Sequence, residues 1–358
     1  MSSPDIAPPA VGWSQDIAGQ TVVLAYGDVG AEYDVLRTRA GLVDRRHRGR
    51  LRFSGAKSGE VVAGLVTNDV MSLQAGQGMY AAGLTARGKI IADVRIFVEN
   101  ESFLIDTSAR AWPGWLDMVK KFVNPRLARY EDVSSSLQDI GVFGATARHC
   151  IEAMTGINSA ALTALPMYGH VAAQVAGADV VVARVPDIGI EGFDLFVPAD
   201  AYDTVWEHAA SAGAVPVGLG AWEILRVEAG RPEWGVDMDE NTLVQEANLD
   251  ELGAVSYTKG CYVGQEVVAR VHFRGHVNRH LRGLRAASAE PPATGARLFD
   301  AADDDLGEVR SGVTSPRLGG IALAMVRREV APGTSLVARL GGDDAGRRVD
   351  LVPLPFAV

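Results

Sequence analysis

The run Lys259–Glu266, which reads KGCYVGQE, contains a cysteine whose neighbours are suited to chemistry. Lys259 lies two residues before Cys261, and Gln265 is predicted to lie in the first turn of the helix that follows. A nearby cation or a helix N-terminus favours the thiolate, which is the reactive form of cysteine. The spacing therefore indicates a working thiol. The alternative is a buried structural cysteine, because free cysteines are often buried.

A second candidate is Asp93, a carboxylate on the otherwise apolar strand predicted over residues 89–99. Side chains alternate between the two faces of a strand, so Asp93 shares a face with Ile91 and Arg95. A carboxylate there is either paired with arginine at the surface or directed into a cavity. In a cavity it accepts hydrogen bonds from the N–H groups of a heterocycle. The local sequence leaves both alternatives open.

Three histidines, His272, His276 and His280, recur at every fourth residue. On one continuous helix this spacing would place metal ligands on a single face. Gly275 interrupts the run, and residues 279–287 are more typical of a strand. We therefore expect the helix to end before His276, and we predict no metal site.

Residues 45–50, which read RRHRGR, form the densest positive charge in the chain. A solvated turn is the expected structure, because runs of like charge usually face water. The alternative is a docking site for an anionic ligand tail or an RNA segment, because arginine pairs well with carboxylate and phosphate groups.

The composition is that of a globular protein, with 358 residues, 47% of them hydrophobic, and a formal net charge of −10. The acidic balance argues against general binding to nucleic acid or to an anionic membrane surface, which needs a cationic field. Two cysteines do not make a disulfide framework, which favours a reducing compartment. No signal peptide and no apolar stretch of roughly 18 residues is present. We therefore expect a cytoplasmic protein without a membrane partner.

Hydrophobic periodicity predicts helices and strands in mixed order, without strict β–α–β alternation, and so favours an α+β fold. The predicted helices lie over residues 30–43, 56–66, 110–122, 146–154, 200–212 and 218–229. The predicted strands lie over residues 50–54, 79–84, 89–99, 102–107, 127–132, 137–143, 170–176, 178–185 and 192–197.

The chain is predicted to divide into a main body and a smaller C-terminal domain. Residues 1–12 are predicted to be disordered, and the main body is expected over residues 13–287. Residues 288–292, which read SAEPP, are predicted to be a linker. Residues 293–358 show short strand patterns with Gly and Asp turns, which predicts a small all-β domain.

Four stretches together resemble a known family. Lys259–Glu266 resembles the K-G-C-[FY]-x-G-Q-E run of the YgfZ branch of the folate-binding glycine-cleavage T-protein superfamily. Thr67–Val70, Arg87–Asp93 and Gly218–Gly230 resemble three further motifs of that superfamily in the same order. The resemblance implies two intertwined α+β subdomains around a central channel, followed by a C-terminal β-barrel. It covers the chain from about Tyr33 to the C-terminus.

The resemblance also implies a ligand, which is tetrahydrofolate or a one-carbon derivative in the channel. A folate has a flat pterin with N–H donors and an anionic glutamate tail. Asp93 is therefore the candidate for the pterin, and Arg226 is the candidate for the tail. The resemblance implies four further candidate folate-binding residues, which are Glu228, Tyr262 and Gln265 in the matched motifs and Glu191 in the turn over residues 189–194.

The chain departs from the one-carbon transferases of that superfamily at several positions. The resemblance implies two adjacent aspartates where this chain has Ala92-Asp93, and an arginine where it has Trp222. It also implies a G-E-D-G-F-E turn where residues 189–194 read GIEGFD. The transferases lack the cysteine run.

In view of these departures, we rank three hypotheses about function in the following order. The first is a folate-binding accessory protein for iron–sulfur cluster assembly or repair, with Cys261 as the working thiol beside Lys259, and with iron–sulfur proteins as clients. The alternative is a folate-dependent one-carbon transferase, either an aminomethyltransferase or a demethylase, in which Asp93 positions or deprotonates the attacking amine. The third is an RNA-binding module that uses residues 45–50.

Overall fold

The computed structural model describes residues 12–341 and 346–357. The predicted disorder of residues 1–12 therefore lies, apart from Gly12, outside the described residues. The helices are α1 (Val29–Thr38), α2 (Ser58–Leu65), α3 (Trp112–Phe122), α4 (Ala147–Thr155), α5 (Ser159–Ala164), α6 (Tyr202–Ser211), α7 (Leu219–Glu228) and α8 (Gln265–Arg274).

The strands form a two-stranded hairpin, two larger sheets and a closed barrel. The first hairpin and the strands up to the middle of the chain are β1 (Trp13–Ile17), β2 (Gln20–Ala25), β3 (Gly41–Asp44), β4 (Gly49–Ser54), β5 (Gly78–Leu84), β6 (Ile90–Val98), β7 (Ser102–Thr107), β8 (Arg129–Asp132) and β9 (Leu137–Phe143). The remaining strands are β10 (His170–Val175), β11 (Ala178–Arg184), β12 (Gly192–Pro198), β13 (Val215–Pro216), β14 (Arg279–Ala286), β15 (Arg297–Phe299), β16 (Asp305–Ser315), β17 (Gly319–Arg327), β18 (Ser335–Arg339) and β19 (Arg347–Val352).

Two sheets form the body of the molecule. The first sheet has the strand order β10-β11-β12-β9-β3-β13, and the second sheet has the order β5-β6-β7-β4-β8. The chain places β3 in the first sheet, builds the whole second sheet, and returns to the first sheet at β9, which pairs with β3. The second sheet is thus inserted between two neighbouring strands of the first. This topology confirms the predicted α+β fold of two intertwined subdomains.

Three apolar layers hold the body together. Helices α2 and α3 cover the outer face of the second sheet, and helices α4 and α6 cover the outer face of the first sheet. A third layer lies between the inner faces of the two sheets and includes buried residues of α1 and α7. Removal of this apolar surface from water is the main stabilising contribution to such a fold.

The C-terminal part forms a closed six-stranded barrel with the order β14-β17-β16-β15-β18-β19, as predicted. It packs on α7, where Val227 is buried together with Leu281 and Ile321. Because β14 precedes residues 288–292, the predicted linker lies within the barrel, and the predicted bounds 13–287 and 293–358 divide it. A strand pattern reveals the strand but not the sheet to which it belongs, so the sequence did not separate β14 from the body.

The predicted helix over residues 30–43 is wrong at its C-terminal end, since α1 ends at Thr38 and β3 begins at Gly41. The chain turns back so closely that a Cβ added to Gly41 would lie 2.5 Å from a methyl carbon of Leu36. The hairpin of β1 and β2 was not predicted. Most of β1 is exposed, so it lacks the alternating pattern that marks a half-buried strand.

Helix α8 begins at Gln265 and ends at Arg274, as the sequence predicts. His280 lies on β14, so the three histidines do not share one helix. Within residues 12–341 and 346–357, no cluster of three or more His, Cys, Asp or Glu side chains has an arrangement suited to a metal ion. The helices described over the same residues are all too short or too polar to cross a bilayer.

Trp115 on α3 is completely buried against the second sheet, whereas Phe122 on the same helix is 46% exposed. We expect Trp115→Ala to lower the free energy of unfolding by about 3–5 kcal/mol, because it leaves a cavity in the apolar layer. Phe122→Ala is the matched control and should cost less than about 1 kcal/mol. Urea denaturation measures both changes. Equal effects of the two substitutions would contradict the assigned packing of α3.

Candidate functional site

A cavity of about 320 Å³ opens between the two sheets beside α7. Its walls come from the hairpin of β1 and β2, the β3–β4 loop and β6. The start of the segment between β7 and α3 and α7 with the segment after it complete the walls. Binding sites for small organic molecules have volumes of roughly 300–1,000 Å³. The cavity is therefore large enough to enclose part of such a ligand.

Asp93 projects from β6 into this cavity. Tyr80 donates its hydroxyl hydrogen to Oδ2 of Asp93 at 2.9 Å, while Oδ1 is buried and has no partner among the described residues. Burial raises the pKa of Asp93, although the hydrogen bond from Tyr80 opposes this shift. Buried carboxylate oxygens are normally hydrogen-bonded. Oδ1 of Asp93 is thus an acceptor available to a ligand.

Ala92 points to the opposite face of β6, into the fully buried apolar layer that contains Trp115. A carboxylate at this position would face that layer instead of the cavity, because successive side chains alternate across a strand. The presence of Ala92 where the transferases have an aspartate therefore does not deprive the cavity of a carboxylate. The departure noted in the sequence is a weaker argument against transferase chemistry than the motif alone suggests.

An ionic cluster forms the floor of the cavity. Arg95 follows Asp93 on the same face of β6 and forms ion pairs with carboxylates on both sheets. Its partners in the second and first sheets are Asp106 and Asp194, and a further partner, Asp187, lies 2.9 Å from Nη1 of Arg95. The whole cluster consists of four arginines and four aspartates, which are Arg45, Arg48, Arg50, Arg95, Asp106, Asp139, Asp187 and Asp194.

The carboxylates of this cluster have divergent pKa values. Burial and the neighbouring charge of Asp194 raise the pKa of Asp139 to about 8. Burial also acts on Asp106 and Asp187, but the arginines around them outweigh it and hold the pKa of each carboxyl below its ordinary range. Asp139 therefore keeps its proton to a higher pH than Asp106 and Asp187 do.

The basic run 45–50 does not form the solvated turn that was predicted. Arg45 and Arg50 are 2% and 0% exposed, and Arg48 pairs with Asp106 at 2.5 Å. Arg46 alone of the four arginines is half exposed. The prediction failed because the acidic partners lie far away in sequence, on strands and loops of both sheets. These buried arginines are not available to dock an RNA segment.

Arg226 also lines the cavity, on α7, but the structure does not present it as a free cation. Glu223 and Asp237 bind its guanidinium, and the carbonyl of Arg231 and the hydroxyl of Ser311 accept its remaining hydrogens. The guanidinium has five N–H donors in total. The predicted role of Arg226 at a folate tail would require it to leave one of these partners.

Lys259 anchors the cysteine run instead of facing the cavity. Its ammonium donates to the carbonyls of Ala63, Val66 and Asn68 at 2.6, 2.8 and 2.8 Å, at the C-terminal end of α2. Burial lowers the pKa of Lys259 to about 8. These three hydrogen bonds use all three donors of the ammonium, so Lys259 has none left for Cys261. Cys261 itself is exposed, and it is not among the described residues that line the cavity.

The other four candidate residues lie outside the cavity lining. Glu228 accepts hydrogen bonds from Tyr33 and Ser315 and so joins α7 to α1 and the barrel. Glu191 forms ion pairs with Arg148 and Arg184. The two remaining candidates, Tyr262 and Gln265, lie respectively in the apolar layer between the sheets and at the start of α8.

The sequence did not identify Tyr80 and Arg231 as residues of the cavity. Tyr80 lies on β5, and its ring stacks on that of Tyr168 with centroids 6.3 Å apart. Arg231 donates to the hydroxyl of Tyr168 at 3.1 Å. Arg231 directly follows the family-like stretch Gly218–Gly230, and this position was the only sequence signal for it. The contacts among Tyr80, Tyr168 and Arg231 join segments that are distant in sequence, so no local sequence pattern predicts them.

Comparisons with known proteins agree with this architecture. Residues 15–258 match the GCVT N-terminal domain, and residues 279–357 match the glycine cleavage T-protein C-terminal barrel domain. The chain therefore belongs to the glycine cleavage T-protein family. The second match begins at β14, in agreement with the observed extent of the barrel.

Relatives named aminomethyltransferase cover most of the chain. The protein of Saccharopolyspora erythraea is 32% identical over 95% of this chain and 93% of its own. That of Rubrobacter xylanophilus is 30% identical over 95% of this chain and 89% of its own. A crystal structure of the glycine cleavage system aminomethyltransferase T from Bartonella henselae superimposes with a TM-score of 0.86, covers 97% of this chain and 95% of that one, and is 23% identical. This last likeness shows the shared fold.

The protonation of Asp139 predicts a pH dependence of stability. Because its pKa is raised above the ordinary value of about 4, the folded protein holds a proton that the unfolded chain has released. The stability that this group contributes is present at low pH and falls as the pH rises toward 8, by at most about 1.4 kcal/mol per pH unit. We therefore expect the free energy of unfolding of the wild type to fall relative to that of Asp139→Asn between pH 5 and pH 8.

Urea denaturation at several pH values measures this difference. Asp179→Asn, at an exposed position of β11, is the matched control and should change with pH in parallel with the wild type. A wild-type curve that stays parallel to that of Asp139→Asn would show that Asp139 is ionised throughout this range.

Proposed function

We propose that this protein binds tetrahydrofolate in the cavity and uses it as the acceptor in one-carbon transfer. The observation that carries the proposal is the unpartnered, buried Oδ1 of Asp93 in a cavity large enough for part of a folate. Membership of the glycine cleavage T-protein family and the names of the relatives support it.

The residues of the cavity fit a pterin. A pterin is flat and carries N–H donors on one edge, so it needs an acceptor and apolar or aromatic walls. Asp93 supplies the acceptor, and the rings of Tyr80 and Trp222 contribute to the walls. The guanidinium of Arg45 lies 4.4 Å from the centre of the Trp222 ring on that wall, which holds the indole in place.

Tetrahydrofolate supplies the nitrogen that receives the one-carbon unit. Asp93 is positioned to accept the hydrogen of an N–H group and to take up its proton as a general base. Its raised pKa makes it a stronger base than an exposed aspartate, while the hydrogen bond from Tyr80 orients the carboxylate.

We expect Asp93→Asn to lower the rate of one-carbon transfer by about 10²–10⁴-fold, because the amide cannot take up a proton. Purified protein is incubated with tetrahydrofolate and candidate aminomethyl or methyl donors, and methylene- or methyl-tetrahydrofolate is quantified by mass spectrometry. The wild-type rate should rise as Asp93 deprotonates, at a higher pH than is usual for an aspartate. Asp179→Asn, at an exposed position of β11 outside the cavity lining, is the matched control and should keep most of the activity.

Calorimetric titration separates binding from chemistry. Tetrahydrofolate is expected to bind the wild type and to bind Asp93→Ala at least roughly tenfold more weakly, because the pterin loses its buried acceptor. Equal affinity for both proteins would place the folate elsewhere.

A second candidate function is the accessory role in iron–sulfur cluster assembly or repair that the YgfZ-like run implies. The exposed thiol of Cys261 favours it, because the residue is accessible to a client protein. In cells that lack the native gene, we expect Cys261→Ser to fail to restore the activity of an iron–sulfur enzyme, whereas Cys150→Ser, which changes the buried cysteine, restores it. Full rescue by Cys261→Ser would remove this thiol from the mechanism.

A further inference from the structure

Among the described residues of the barrel, two polar side chains are buried, and both lie on β16. They are Ser311 and Ser315, which are 3% and 2% exposed. Each hydroxyl donates its hydrogen to a carboxylate of the body, which is Asp237 for Ser311 and Glu228 for Ser315. The barrel therefore contacts the body through two specific polar groups as well as through its apolar contacts with α7.

A β-bulge directs Ser311 toward the body. In the pairing of β16 with β17, Val309 lies opposite Ala324 and packs with it inside the barrel. Ser311 lies opposite Leu323, so Arg310 is an extra residue in β16. Without that residue, Val309 and Ser311 would share a face of the strand. Because Leu323 belongs to the apolar layer that the barrel shares with α7, the bulge turns the hydroxyl of Ser311 out of the barrel and toward the body.

The hydroxyl of Ser311 joins two charged groups beside the cavity. It accepts a hydrogen from Nη2 of Arg226 at 2.9 Å and donates its own to Oδ1 of Asp237 at 2.5 Å. Nη1 of Arg226 donates to Oδ2 of Asp237 at 2.6 Å, which closes a ring of hydrogen bonds among the three side chains. Arg226 lines the cavity, whereas Ser311 is not among the described residues that do so. Ser311 thus acts on the cavity through Arg226.

Loss of this hydroxyl would leave two buried groups without a partner. Ser311→Ala removes the acceptor of one Nη2 hydrogen of Arg226 and the donor to Oδ1 of Asp237. The other N–H groups of Arg226 are already bonded to Glu223, Asp237 and a backbone carbonyl. Burial raises the pKa of Asp237, and the charge of Arg226 and the hydrogen bond from Ser311 oppose that shift. Without Ser311 the carboxylate is a weaker partner for Arg226, and the guanidinium is free to move.

We propose that Ser311 is a positioning residue of the cavity, through which the barrel holds Arg226 in the arrangement that receives a ligand. Such prior ordering of the cavity wall reduces the entropy that binding must overcome. Where it concerns tetrahydrofolate, this inference rests on the proposed function, whereas the hold on Arg226 is a property of the protein without ligand. Ser315 offers the matched control, because it is equally buried on the same strand and its partner Glu228 lies outside the cavity lining.

Calorimetric titration with tetrahydrofolate compares the two serines. We expect Ser311→Ala to bind tetrahydrofolate at least roughly tenfold more weakly than the wild type, because Arg226 must then be ordered as the ligand binds. Ser315→Ala should keep the wild-type affinity, and urea denaturation measures the stability that each variant loses. An unchanged affinity in Ser311→Ala, or equal weakening in both variants, would refute the role of Ser311 at the cavity.

The guanidinium of Arg226 provides a readout that needs no ligand. In protein with ¹⁵N-labelled arginine, its signals are identified by their loss in Arg226→Lys. We expect the hydrogens of this guanidinium to exchange with water at least roughly tenfold faster in Ser311→Ala than in the wild type, and at the wild-type rate in Ser315→Ala.

This exchange separates the inference from the proposed function. If tetrahydrofolate does not bind the wild type, the folate proposal fails, and the exchange alone decides whether the barrel holds the cavity wall. Faster exchange in Ser311→Ala would then uphold the assignment of Ser311 as a positioning residue. Equal exchange in the wild type and Ser311→Ala would overturn it.

Discussion

The pairing of Arg95 with aspartates of both sheets is the interaction on which the site depends. Arg95 lies on β6 of the second sheet, and two of its partners, Asp139 and Asp194, lie on β9 and β12 of the first. A charge taken out of water is tolerated only when it is paired and hydrogen-bonded, so these residues must meet. The relative placement of the two inner faces is thereby fixed, and with it the cavity above them.

Two neighbours on one face of β6 have different functions for this reason. Arg95 is saturated by carboxylates, whereas Asp93, two residues earlier, retains an unpartnered oxygen. Two residues advance a strand by roughly 6.6 Å, which is the step from the ionic floor to the open cavity. The floor holds β6 rigidly, so that the acceptor on Asp93 does not need to be ordered by the ligand. Such prior ordering reduces the entropy that binding must overcome.

Local patterns predicted much of this structure, and contacts between distant segments account for what they missed. Alternation on β6 placed Asp93 and Arg95 on one face. The strand patterns of the C-terminal region predicted an all-β domain, and the family resemblance implied that it is a barrel. The run 45–50 was misread as solvated, because nothing near Arg45 in sequence reveals Asp187, which is 142 residues away. Lys259 was assigned to the thiol for the same reason, since the carbonyls that bind it lie 191–196 residues away.

The cysteine run lies apart from the cavity, and this separation limits the part that the Cys261 thiol can play in chemistry there. Lys259 ties that run to the end of α2, and α2 packs on the outer face of the second sheet. Asp93 projects from the inner face of the same sheet, whereas the anchor residue Val66 pairs with Gly83 at the β5 edge of that sheet. To bring Cys261 to the cavity, the loop would have to leave its anchor and give up three charge-assisted hydrogen bonds. Each such bond contributes roughly 1.5–3 kcal/mol, which makes that movement unfavourable. The one-carbon transfer proposed for the cavity is therefore assigned to Asp93 and the groups around it, and not to the thiol.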